Sequence, residues 1–361
     1  MQCWSLLPPL FWSSSLEPIV VRARQGPFLT CVALYLLISC LSWLAHFIQF
    51  STALHQSLLA PEHLAPEPTP AVRLQAAALV EPIQWAPPSI SDDTESAQNS
   101  STTAQTIPRI IHRMWRHLTS DIPEEWSNAT ASCRVQNPEY QQYIWTDETA
   151  HQFIGRHFPW YLSTYTDHLL PLQRVDALRY FLLWHYGGVF LDPELGCRRS
   201  LEPLLTAKQV QAPVQLLLPQ GRAYGVGTDM MASAPGHPFV IKLALTTHDH
   251  HWPGIPAYAM AFARSGPMVA SRVLAVWLRS VGNAPTIIAI VTAALFDNPE
   301  SGNAFFVRCV GQTPRGDDVA VAQHVFGNWV GWGGAGLSLA VMALVIFGLH
   351  SRPRTVTHVL V

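Results

Sequence analysis

The stretch "PLQRVDALRYFLLWHYGGVFLDPELGC", residues 171–197, decides how this chain folds. Pro171 stands near its start, and Leu172, Val175, Leu178 and Leu182 recur at three- and four-residue spacing, which predicts a helix with a buried stripe. Gly187 and Gly188 end that helix in the usual way. The apolar run "VFLD" follows at once as a short strand, so a helix feeds straight into a strand, as in an α/β layer architecture. Two acids separated by a proline close the run. Side chains two apart on a strand point the same way, with Cα atoms about 6.6 Å apart. Asp192 and Glu194 are therefore expected to face one space at the carboxyl end of a strand, where ligands of α/β sheets gather. Hard divalent cations take oxygen ligands, and one or two carboxylates plus substrate phosphates suffice for Mg²⁺ or Mn²⁺. The plainer reading is a pair of solvated turn carboxylates. Pro193 has no N–H for a ladder, so pairing stops there or the strand lies at an edge.

On the same helix Asp176, Arg179 and Tyr180 are spaced i, i+3 and i+4 and share one side. The helix is apolar enough to be largely buried, so its Asp and Arg need partners. Two readings stay open: an internal Asp176–Arg179 ion pair, or an acid accepting from sugar hydroxyls while the arginine faces a donor phosphate.

Outward from this core, "IPRIIHRMW" (107–115) and "YQQYIWTD" (140–147) read as strands. Strand-like and helix-like patterns alternate as far as Asn328, so residues 107–328 are expected to form one α/β domain. The whole chain of 361 residues is 49% hydrophobic and only 13% charged, with net charge −2, and no basic excess points to nucleic acid. The apolar surplus is localised. Residues 28–50, "FLTCVALYLLISCLSWLAHFIQF", carry no charge and are long enough to cross a hydrocarbon core of about 30 Å. Arg22 and Arg24 precede this run, which predicts a signal-anchor with residues 1–27 cytosolic and the remainder translocated. Residues 329–349 form a second uncharged run, followed by Arg352 and Arg354, and are expected to return the tail, residues 350–361, to the cytosol. Residues 51–106 are rich in Pro, Ala, Ser, Thr and Gln and are expected to be a disordered luminal stem. Asn99 and Asn128 stand in glycosylation sequons. Cys133, Cys197 and Cys309 allow at most one luminal disulfide, with the pairing open. "HDHHW", residues 248–252, is read as a surface loop rather than a metal cluster.

Taken together, "IPRIIHRMW", "YIWTDE", "QRVDALRYFLLWHYGGVFLDPELGCRRSLEPLL" and "GVGTDMMASAPGHPF", in this order, resemble the DXD-containing Golgi glycosyltransferase family that includes the yeast initiating α-1,6-mannosyltransferase. "LGCRRSLEPLL" and "TDMMAS…HPF" look most like its mannosyl-inositolphosphorylceramide synthase branch. The resemblance runs from Ile107 to about Pro267, with "QHVFGNW" as a last match. It implies a GT-A-like, Rossmann-like fold in a Golgi membrane with the catalytic domain luminal. It also implies a GDP-mannose donor, a divalent cation such as Mn²⁺, and retention of anomeric configuration. The implied acceptor is inositol phosphorylceramide, and the branch implies a small regulatory membrane subunit. By the same resemblance Asp192 and Glu194 hold the metal, with His324, and Asp176, Arg179 and Tyr180 bind donor. Trp115 lies near the nucleotide base, Asp229 near the transferred sugar or acceptor, and Asn328 and Trp329 close over the diphosphate. The family's motif normally has a second Asp where this chain has Glu194, and Pro193 alters the backbone between the two acids. Two competing readings are an α-1,6-mannosyltransferase acting on N-glycans and a non-catalytic paralogue or subunit.

Overall fold

The computed structural model describes residues 17–59, 64, 106–115, 122–209, 212–221, 225–247, 257–281 and 288–309. The chain divides into two units, Met1–Gln49 with Asn328–Val361, and Phe50–Gly327. In the first unit the described structure is helix α1 (Glu17–Gln56), whose last turns belong to the second unit. The span expected at residues 28–50 lies inside this helix. Its stretch Leu37–Gln56 is long and apolar enough to cross a membrane. Leu34, Tyr35, Ile38, Leu41 and Ile48 are exposed, the arrangement a lipid-facing helix needs. The expected second span, residues 329–349, and the tail after it lie outside the described residues.

The second unit is built on a mixed sheet. In chain order its described strands are β1 (Leu58–Leu59), β2 (Ile110–Met114), β3 (Gln141–Trp145), β4 (Gly188–Leu191), β8 (Leu216–Pro219), β9 (Met230–Ser233) and β10 (Ile288–Val291). Between β4 and β8 lie β5 (Leu195–Cys197) and the two-residue strands β6 (Lys208–Gln209) and β7 (Ala212–Pro213), which stand outside this sheet. The order across the sheet is β1-β10-β8-β9-β4-β2-β3, and β9 alone runs against its neighbours. The stretch expected to be a stem thus gives the sheet an edge strand. Leu59 is fully buried, and Ile290 N donates to Ser57 O at 2.8 Å. Phe50 and Leu54, on the last turns of α1, are also core residues. These few apolar residues are diluted by Pro- and Ala-rich sequence downstream, so the average composition of 51–106 hides them.

Both faces of the sheet are covered, and side chains alternate between two cores as strand geometry requires. Leu216, Leu218, Phe190, Met231, Ile288 and Ile290 go to one core, whereas Leu217, Val189, Leu191, Met230, Ala289 and Val291 go to the other. This explains strands that read as unbroken apolar runs. The first core is closed by α4 (Pro171–His185), α6 (Pro238–Thr246) and α8 (Pro267–Val281), after α2 (Glu124–Gln136), α3 (Asp147–His157) and the short α5 (Glu202–Leu205) in chain order; α7 (Ala257–Arg264) packs on α4 and α8. Helix α4 is buried without a break from Ala177 to Leu183. Leu172, expected on the buried stripe, is instead 47% exposed, because only the first turn of α4 protrudes from the core.

The helix-to-strand junction is as expected: α4 ends, and β4 starts at Gly188. Gly187 and Gly188 have φ of 68° and 90°, a region that side chains other than glycine's rarely enter. A Cβ on Gly188 would lie 2.6 Å from Ile110 O. Beneath the junction His112 is buried. Its Nδ1 accepts from Trp145 Nε1 at 3.2 Å, which leaves Nε2–H to donate to Gly187 O at 3.1 Å. Burial pushes this imidazole down to about 4 despite the Gly187 carbonyl.

Candidate active site

Strand β4 ends at Leu191, and Asp192-Pro193-Glu194 form a tight turn in which Leu195 N donates to Asp192 O at 3.0 Å. Strand β5 leaves the turn at once. Asp192 and Glu194 are therefore not successive same-face positions of one strand, as expected, because Pro193 sits in the turn between them. Pairing does stop there, yet β4 is interior, between β2 and β9. Three anchors fix the turn. Asp192 N donates to Asp229 O at 2.9 Å, and Cys309 N donates to Glu194 O at 2.8 Å. The third is Arg113, buried on β2, whose guanidinium donates to Asp192 O at 2.9 Å, Pro193 O at 3.3 Å and Leu195 O at 2.7 Å. Burial pushes Arg113 down to about 10, with Asp192 and Cys309 opposing, so it stays cationic at neutral pH. A disulfide between Cys133 on α2 and Cys197 on β5 clamps the strand that leaves the turn, which settles the open pairing.

Each acid of the turn meets its own arginine. Arg179, buried on α4, donates through Nη2 to Asp192 Oδ1 at 2.6 Å and through Nη1 to Thr228 O, with Asp176 Oδ1 at 3.3 Å. Its guanidinium lies 4.7 Å from the centre of the Phe190 ring. Burial works to lower Arg179, but Asp192 and Asp176 outweigh it and the net direction is upward. Asp176 also accepts from Ser265 Oγ at 2.7 Å, and burial raises it despite Arg179. The ion-pair reading of Asp176 and Arg179 therefore holds, and the arginine's terminal nitrogens are engaged with protein. Burial pushes Asp192 up to about 7; Arg179 opposes, while Asp229, Asp176 and Glu194 add to the rise. Tyr180, one step along the helix, donates to Ser265 O and is fully buried. It buttresses Asp176 through Ser265.

Glu194 meets Arg308, at the end of β11 (Phe306–Arg308), which pairs antiparallel with β5 in register Arg308–Leu195. The same guanidinium donates to Asp229 Oδ2 at 2.5 Å and to Asp297 Oδ2 at 3.1 Å. Asp229 immediately precedes β9. Because β9 runs backwards, its start lies at the same edge as the ends of β4, β2 and β8. The site thus sits where ligands of open α/β sheets bind. Trp115 also stands at this edge, after β2; it packs edge-on against Trp126 with ring centres 5.0 Å apart. His324, Asn328 and Trp329 lie outside the described residues, as does "HDHHW" at 248–252.

The structure brings together Asp176, Arg179, Asp192, Glu194 and Asp229 from the sequence reading and adds Arg113, Asp297 and Arg308. Sequence patterns offered one signal for the additions: an arginine inside an apolar strand, "IIHRM" or "FFVRC", needs buried partners. As a set of donors the acids suit a hard divalent cation. Glu194 and Asp229 already converge on one cation, the Arg308 guanidinium. Among the described residues no three acid, histidine or cysteine side chains are gathered as a ready-made metal cage, so the carboxylates would have to shift from their arginines to hold one.

The family described as "Glycosyltransferase sugar-binding region containing DXD motif" matches residues 123–211, which include the helix, the double glycine and the Asp-Pro-Glu turn. Inositol phosphoceramide mannosyltransferase 3 of Schizosaccharomyces pombe is 30% identical over 269 residues, 73% of this chain and 71% of its own. Mannosyl phosphorylinositol ceramide synthase SUR1 of Saccharomyces cerevisiae is 40% identical over 169 residues, 46% of this chain and 41% of its own. Among solved structures, PaToxG glycosyltransferase overlaps with a TM-score of 0.35 at 18% identity, covering 49% of this chain and 72% of that one. An α/β sheet with a carboxylate turn at its carboxyl edge is thus joined to the sequence of a sugar-transferring enzyme. The chain belongs to the family of DXD-containing glycosyltransferases that includes these inositol phosphoceramide mannosyltransferases.

Proposed function

We propose that this enzyme transfers mannose from GDP-mannose to inositol phosphorylceramide, with retention, on the luminal side of a Golgi membrane. The carrying observation is the Asp-Pro-Glu turn held against Arg179 of α4, in a chain 30% identical over 269 residues to an inositol phosphoceramide mannosyltransferase. The reading includes a GT-A-like domain, Mn²⁺ as cation, and a small membrane subunit as partner. The reversed strand β9 beside β4 supports the fold. The Cys133–Cys197 disulfide supports a luminal placement, since such bonds persist in oxidising compartments. An exposed Asn128 within a sequon agrees with it. The apolar α1 supports membrane attachment, which keeps the site near a lipid acceptor.

In this reading Asp192 and Glu194 hold the cation, with Asp229 beside them. The bound cation supplies electrostatic neutralisation of the charge developing on the departing nucleoside diphosphate. Arg179 keeps Asp192 in place through a direct ion pair, and Asp176 keeps Arg179 in place. Arg113 fixes the backbone of the turn, so the carboxylates are presented without rearrangement of β4. Asp229, just before β9 and bonded to Arg308, would meet the transferred sugar or the acceptor. Trp115 offers an aromatic face at the same edge for the base.

The test uses membranes in which this protein is the sole candidate transferase, supplied with GDP-mannose, Mn²⁺ and inositol phosphorylceramide. Mannosylated lipid is expected, and Asp192→Ala should abolish it at unchanged protein level. Absence of both product and donor hydrolysis would overturn this proposal. Full activity in the Asp192→Ala protein would remove that residue from the metal role.

A further inference from the structure

Arg308 binds more acids of the site than any other described side chain. Its Cα is fixed opposite Leu195, directly across from the exit of the Asp-Pro-Glu turn. Nη1 donates to Glu194 Oε1, and Nη2 donates to Asp229 Oδ2 at 2.5 Å. Two further bonds, from Nη2 at 3.1 Å and Nε at 3.3 Å, go to one oxygen of Asp297. The side chain is 17% exposed. A guanidinium placed this way supplies the positive charge that Glu194 and Asp229 would otherwise take from a metal ion. Both cannot stand there together without strong repulsion. Asp297 resolves the difficulty. It holds the guanidinium through Nε as well as Nη2, so Arg308 keeps a paired carboxylate after the other two have left it. A buried arginine without any partner would be costly; this one has its second position already built.

We infer that Arg308 is an internal counter-cation that holds Glu194 and Asp229 toward a common point, yields both to an incoming divalent cation, and stays paired with Asp297. It is a positioning residue that acts through the carboxylates. The inference rests on the metal role proposed for Glu194.

The test reads Mn²⁺ binding to the purified full chain in detergent, by the loss of the free-ion electron paramagnetic resonance signal, with no sugar donor or acceptor present. Arg308→Gln should bind Mn²⁺ about tenfold or more tightly than the unmodified chain, as removal of a neighbouring positive charge dictates. Arg308→Lys, which keeps a charge but not the fork, should fall between the two, and it carries the test if Arg308→Gln does not fold. Asp297→Asn should weaken Mn²⁺ binding severalfold, because Arg308 then has only Glu194 and Asp229 to hold. That weakening should vanish in the Arg308→Gln background, a non-additivity that a general charge effect would not give. Equal or weaker Mn²⁺ affinity in Arg308→Gln, or an Asp297→Asn effect of the same size in both backgrounds, overturns the inference. No Mn²⁺ binding by any variant overturns it together with the metal role, and leaves mannosyl transfer to be judged by its own assay.

Discussion

Arg179 and Asp192 lie on either side of the double glycine and meet at 2.6 Å. This contact ties the helix before Gly187 to the turn after Leu191, so one ion pair spans the junction from which the site grows. Arg179 is 3% exposed and Asp192 28%. Arg179→Met should cost about 3 kcal/mol of unfolding free energy, the low end for breaking a buried pair because Asp192 keeps some contact with solvent. Arg179→Lys should lose part of this, since an ammonium cannot serve Asp192, Asp176 and Thr228 O in one plane. Denaturant titration checks both values.

The Cys133–Cys197 bond closes a loop of sequence separation 64 and clamps β5 to α2. Replacing both cysteines with serine should lower stability by about 2–4 kcal/mol. Transfer activity should fall in the same variant at temperatures well below its melting point, because the clamped strand leaves the Asp-Pro-Glu turn directly. Thermal melts and initial rates measured on the same preparation separate the two effects.

His112 gives a pH dependence of known sign. Its folded-state value, about 4, lies below the ordinary 6.5, so between these values the unfolded chain holds a proton that the folded chain does not. The stability linked to neutral His112 is complete above pH 6.5, falls as pH drops toward 4, and amounts to about 3 kcal/mol. His112→Asn should be less stable at pH 7 and should take up about one fewer proton on unfolding at pH 5. Denaturation at a series of pH values would expose an unchanged proton uptake, which contradicts the assignment.

Gly188 and Gly302 offer a matched pair. Gly188 has φ of 90°, and a Cβ there would lie 2.6 Å from the backbone oxygen of Ile110, whereas nothing stands within 4 Å at Gly302. Gly188→Ala should destabilise the domain by at least the 1–3 kcal/mol or so of a strained backbone, and Gly302→Ala should stay within about 0.5 kcal/mol. Melting temperatures of the two variants decide it.

Legibility followed range of interaction. The helix, its glycine stop and the strand after it were readable because spacing and chain stiffness are local properties. The Asp176–Arg179 pair was readable for the same reason, since three residues along a helix make neighbours. Tyr180 shares that side of the helix, yet its hydroxyl turns to Ser265 O from a distant segment, and no periodicity reports such a partner. Asp192 and Glu194 were legible as acids at a strand end, but not as acids that diverge to two arginines, because Pro193 makes a turn where a strand was assumed. Arg308 reaches the site through the pairing of β11 with β5, and Asp297 joins it through its bonds to Arg308; the partners in the pairing are far apart in sequence.

The reversal of β9 has a consequence for how such an enzyme diversifies. The chain leaves β8 at Pro219, passes over the carboxyl edge, and re-enters at Met230, with Gly227 N donating to Pro219 O at 2.8 Å across the base of the excursion. Gly221 N also donates to Gly225 O at 2.9 Å, so a change at these two ends of the excursion would leave the strand register, the Asp192–Asp229 backbone bond and both arginine clasps in place. Sequence can thus vary next to the carboxylate turn without loosening the frame that holds it.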